Sequence, residues 1–95
     1  MRACRVDANH AEVVKALRAI GASVADTSRA GSGFPDIVAG FRGRNWLIEV
    51  KDGKKPPSAR KLTGDQVEFK AAWRGHWIVV LSADEAVREI SRVTT

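Results

Sequence analysis

An internal disulfide is out of reach for this 95-residue chain, which carries one cysteine, Cys4. The same count excludes a cysteine-rich zinc site, and a reducing cytoplasm fits it. No apolar run approaches the roughly 18 residues that span a bilayer, and no basic-then-apolar leader opens the chain. The sequence therefore predicts neither a membrane span nor a signal peptide. Tyrosine is absent and prolines number three, two of them adjacent. A phosphate-binding P-loop is missing as well: the glycine-containing stretch Ser28 to Pro35 (SRAGSGFP) lacks the GK[ST] ending, which argues against a nucleotide cofactor. Acid is in short supply. Eleven Asp and Glu face sixteen Lys and Arg, a balance of +5 that favours a polyanionic partner through phosphate contacts and counterion release.

What remains is a globular composition, 44% hydrophobic and 28% charged, in a length that suits one domain, residues 1–95. Asn9 to Ile20 reads as a helix, with Val13, Ala16, Leu17 and Ile20 at helical spacing and Gly21 as its stop. Asn9 with Glu12 makes a capping-box-like start. Ala22 to Thr27 predicts a short strand, and Asp36 to Phe41 and Asn45 to Lys51 predict two more around Arg42-Gly43. Lys51 to Lys61 (KDGKKPPSARK) reads as a basic loop, its prolines arguing against helix or central strand. Thr63 to Trp73 predicts a second helix with Leu62, Gln66, Phe69 and Trp73 inward. His76 to Leu81 (HWIVVL) reads as a buried strand, and Ser82 caps a last helix holding Ala86, Val87 and Ile90, with Glu85 at its capping-box position. The order is α-β-β-β-α-β-α, a mixed sheet flanked by helices.

Within that pattern the charges are misplaced for a core. Strand side chains alternate faces, so Glu49 and Lys51 share one and Asp36 shares one with Val38. A two-residue turn at Arg42-Gly43 pairs Ile37 with Ile48 and Val38 with Leu47, which sets Asp36 opposite Glu49. Two carboxylates at that spacing repel. Either Lys51 or a divalent cation must compensate, and an all-oxygen donor set favours Mg²⁺, with Mn²⁺ able to substitute.

Pro35-Asp36 and Glu49-Val50-Lys51, twelve residues apart, resemble the PD-(D/E)XK nuclease signature, and the whole chain resembles a stand-alone VRR-Nuc domain of the kind found in bacteriophages. That resemblance implies a restriction-endonuclease-like αβββαβα core and a Mg²⁺-dependent phosphodiesterase. Asp36, Glu49 and the backbone carbonyl of Val50 would hold the metal, with one ion or two left open. Lys51 would orient the attacking water or stabilise the phosphate. Glu12 on the first helix and Gln66 on the helix after the EXK strand match supporting positions. Each also lies three residues after an N-cap, Asn9 and Thr63, so capping is the competing role for both. The resemblance further implies a homodimer acting on branched DNA, especially four-way junctions, in the host cytoplasm if phage-encoded. The alternatives are a flap, end or nonspecific DNA nuclease of the same fold, and a non-catalytic DNA-binding module.

Lys54, Lys55, Arg60 and Lys61 follow the EXK strand and are candidate phosphate contacts that position nucleic acid without reading bases. His10 and His76 lack partners at metal-ligand spacing and read as helix-edge and strand-end residues. Trp46 and Trp73 are expected in the core, while Trp77 is open between packing and base stacking.

Overall fold

A computed structural model describes residues 6–92. Helix α1 (His10–Ala19) precedes the strands β1 (Ser23–Asp26), β2 (Ile37–Phe41) and β3 (Arg44–Val50), followed by a 3₁₀ turn (Pro57–Arg60), α2 (Gly64–Ala72), β4 (His76–Val80) and α3 (Ala83–Ser91). The chain is thus a small α/β protein with a four-stranded mixed sheet and three helices. The sheet runs β1-β2-β3-β4, the first three strands antiparallel and β4 parallel to β3.

The β2–β3 hairpin sets the register on which everything else depends. Arg42 (φ 53°) and Gly43 (φ 78°) both adopt left-handed backbone, the geometry that lets a two-residue turn match the twist of its strands. Ile37 pairs with Ile48 and Val38 with Leu47, as the alternation predicts.

One face of the sheet, bearing Ile37, Ala39, Trp46, Ile48, Val50 and Val80, is buried under Val13 and Leu17 of α1 and Ala86 and Ile90 of α3. Each fully buried aliphatic side chain there contributes about 1.5–3 kcal/mol of transfer energy. The other face carries Glu49 and is crossed by α2. Among the described residues none in α2 is buried, and Trp73 is 41% exposed. The expected core role of Trp73 therefore fails, while Trp46 is buried at 6%. The apolar β4 is an edge strand, and only Val80 in it is buried. Apolar composition does not reveal that a strand has a neighbour on one side alone.

Two local expectations also change. The prolines do not exclude helix: Pro56 is the N-cap of the 3₁₀ turn and Pro57 its first residue, where the missing N–H has no partner to lose. Asn9 makes no capping hydrogen bond. Its Nδ2 instead donates to the carbonyls of Lys51 (3.2 Å) and Leu81 (3.1 Å), tying the start of α1 to the ends of β3 and β4. Thr63 and Gln66 do form the full capping box on α2. Ser82 Oγ accepts from Glu85 N–H, but the Glu85 carboxylate reaches back to Leu81 N–H.

Since α2 has little buried surface, its position rests on close backbone approach. Gly33 (φ 79°) lies so near the start of α2 that a Cβ there would collide with the Asp65 carbonyl. We predict that Gly33→Ala destabilises the protein by roughly 2–4 kcal/mol in urea unfolding, from left-handed strain plus overpacking. A stability unchanged from wild type would show that α2 is held some other way.

Candidate active site

The end of the hairpin opposite the Arg42-Gly43 turn opens into a cleft of about 540 Å³. Asp36 enters it just before β2, and Glu49, Val50 and Lys51 enter from the end of β3, with Gln66 above them on α2. Asp36 Oδ2 accepts from Val50 N–H at 2.9 Å. In an antiparallel strand a residue's N–H and C=O point to the same side, so the Val50 carbonyl is directed toward the Asp36 side of the strand.

Glu49 is 3% exposed. Its Oε2 accepts from Gln66 Nε2 at 2.9 Å and lies 3.5 Å from Lys51 Nζ, which also donates to Gln66 Oε1 at 3.2 Å. Gln66 Oε1 accepts Thr63 N–H as well, at 2.9 Å. Capping and site support are therefore not alternatives for Gln66. One amide does both, and its two donors fix the oxygen toward Thr63 and Lys51 and the nitrogen toward Glu49.

Burial, reinforced by the negative charge of Asp36, pushes the Glu49 carboxyl up to about 7 against the opposing pull of Lys51. Burial also raises Asp36, in part offset by the Val50 N–H. Glu49 Oε1 is buried with no hydrogen-bond partner among the described residues. A buried, unsatisfied acceptor beside a second carboxylate and a carbonyl fits a hard cation. No group of three or more His, Cys, Asp or Glu side chains is placed to hold a metal among the described residues. No protein-family model, curated protein or solved structure matches the chain.

Glu12 does not join the site. It is exposed on α1 and lines a separate cleft of about 390 Å³ together with Lys54. With Asn9 not capping, neither role expected for the Asn9–Glu12 pair is formed. The cleft holds a different acid, Asp7, whose Oδ1 accepts from Lys55 Nζ at 3.1 Å. Lys55 alone of the four basic candidates lines the cleft; Arg60 and Lys61 lie outside it, Lys61 exposed and Arg60 with its Nε buried and unpartnered among the described residues. Asp7 sits ahead of α1 with no periodic or motif signal, so only the tertiary fold reveals it. His10, expected at a helix edge, is buried at 7% with its Nε2 3.3 Å from Asp26 Oδ2. His76 is a strand-end residue as expected, stacked on Trp46.

Both carboxyls bind protons more tightly in the folded chain than in the unfolded one. Their contribution to stability is thus fullest below the ordinary glutamate value of 4.5 and is lost as pH rises through about 7. For Glu49 the loss is of order 3 kcal/mol at most, from 1.36 kcal/mol per pH unit. A cation held there would bind the ionised pair, so its affinity would run the other way and grow with pH. We predict that, without divalent ions, the unfolding midpoint falls between about pH 5 and 8, and that Glu49→Gln flattens this fall. Millimolar Mg²⁺ should restore the wild type at pH 8 and leave Glu49→Gln unmoved. Equal Mg²⁺ stabilisation of both proteins in a thermal melt would remove Glu49 from the metal site.

Proposed function

We propose that this chain is a Mg²⁺-dependent endonuclease that hydrolyses phosphodiester bonds in DNA, with branched DNA such as four-way junctions as its substrate. The observation that carries the reading is the convergence of Asp36, Glu49, Val50, Lys51 and Gln66 on one cleft, with the two acids forced together in a buried setting. The element order, with the acids at the open end of the central hairpin, supports a restriction-endonuclease-like core. Branch selectivity and the pairing of two copies are supported by the resemblance of the Pro35-Asp36 and Glu49-Val50-Lys51 motifs to phage VRR-Nuc domains. Two active sites on opposite strands also suit a symmetric pair.

Asp36, Glu49 and the Val50 carbonyl would hold the cation. When bound, it supplies a water acidified toward neutrality and a Lewis acid for the charge that develops on phosphate. Lys51 is a compact ammonium on a flexible stem at the same position, able to meet a phosphate oxygen or that water. Gln66 keeps Glu49 and Lys51 apart from free rotation by bonding both. Lys55, half exposed at the rim, offers a phosphate contact, and its bond to Asp7 fixes the basic loop over the cleft.

The test uses labelled four-way junction, flap and linear duplex with Mg²⁺ or EDTA. We expect Mg²⁺-dependent cutting of the junction, a loss of about 10²–10³-fold for Lys51→Met and of about 10–100-fold for Gln66→Ala, and no measurable cutting by Asp36→Ala. Cutting in EDTA, or by Asp36→Ala at the wild-type rate, would overturn the mechanism. Cutting of flaps but not junctions would make this a flap nuclease. Binding of all three without cutting would make it a DNA-binding module.

A further inference from the structure

Phe69 and Trp73 lie four residues apart on α2 and its C-cap, so they share a face. Their rings stack at 5.5 Å and 16°. Phe34, two residues ahead of Asp36, meets Phe69 edge-on at 5.1 Å. A row of three rings thus runs from beside the cleft to the end of the helix. Phe69 covers one side of the Trp73 indole, and the backbone at Gly75 backs its edge, where an added Cβ would lie 3.0 Å from Nε1. Trp73 nonetheless stays 41% exposed.

Lys70 and Arg74, both exposed, flank Trp73 in sequence, with the Lys70 ammonium 5.3 Å from the centre of the Trp77 ring, whereas the acids of α2 come earlier, Asp65 in its first turn and Glu68 at its middle beside Phe69 and Ser32. Gln66, in the cleft, lies on the same stripe seven residues before Trp73. That separation is about 10 Å of helix rise, or about three nucleotides of stacked strand.

We propose that Trp73 is a stacking platform for an unstacked DNA base about three nucleotides from the bond held in the cleft, with Lys70 and Arg74 on the adjoining phosphates. This rests on reading the cleft as a phosphodiester site. Bases inside a continuous duplex have both faces covered by neighbouring pairs. A flat ring therefore gains a partner only where stacking is interrupted, at a branch, a gap or a strand end. Trp73 would then supply discrimination that basic residues alone cannot, since phosphate contacts do not distinguish paired from unpaired DNA.

Binding is measured in EDTA, at one salt concentration, to DNA with a single-stranded gap and to continuous duplex with the same number of phosphates. Trp73→Ala should bind the gapped DNA about tenfold more weakly and the duplex within about twofold of wild type, and Trp73→Phe should keep most of the preference. An equal loss on both DNAs, or no loss, overturns the proposal. Because α2 is thinly packed, wild-type protein supplies a second readout. A 2-aminopurine in the gap should lose emission on binding, and unchanged emission also overturns the proposal. If Trp73→Ala instead splits a dimer, and its DNA affinity equals wild type once dimer concentrations are matched, the ring belongs to a second copy and the proposal fails. Selective gap binding without Mg²⁺-dependent cutting would remove the nuclease reading alone; Mg²⁺-dependent cutting with no Trp73 effect would remove this one alone.

Discussion

Two carboxylates that repel each other are held together by a hairpin that cannot easily let them part. Ile37 and Ile48, fully buried on the opposite face, lock the register, and a slip of either strand by one residue would turn its isoleucine out of that core. The acids next to them pay in desolvation, visible as a Glu49 carboxyl raised to about 7. A structural role would be served better by apolar residues of similar volume, because breaking even beside a buried charge requires excellent pairing. Here pairing is incomplete: Lys51 and Gln66 satisfy one oxygen of Glu49, and the other has no partner among the described residues.

The rest of the molecule divides unequally around that site. The α1–α3 side is a dry core, and Asn9 carries its rigidity to the ends of β3 and β4 by bonding both the Lys51 and Leu81 carbonyls. The α2 side is thin. There the helix is fixed by the capping box, by the bonds of Gln66 to Glu49 and Lys51, and by the close approach of Gly33. An element with few buried apolar contacts belongs to the low-stability end of a structure, where parts that meet ligands are usually found. The same thinness leaves Trp73 in solvent.

Much of this was legible before any coordinates. The hairpin was readable because Arg42-Gly43 is flanked by alternating apolar residues, and period two then settles which charges share a face. Thr63 and Gln66 were readable as a cap because capping is a local interaction three residues long. Glu12 misled for the same reason: it stands at capping spacing from Asn9, but Asn9 is drawn away by carbonyls 42 and 72 residues distant, and the helix turns Glu12 toward another cleft. Trp73 misled because helical spacing reports which residues share a face and is silent on whether anything covers it.

By itself the sequence determined the order of elements, the strand register, and hence the meeting of Asp36, Glu49 and Lys51, since these follow from short-range periodicity and turn stereochemistry. Only the tertiary structure decided that Asp7 rather than Glu12 enters the cleft, that Lys55 but not Lys61 lines it, and that β4 and α2 stay half open. Those outcomes depend on how separate elements pack against one another, and packing between distant segments leaves no periodic mark in the chain.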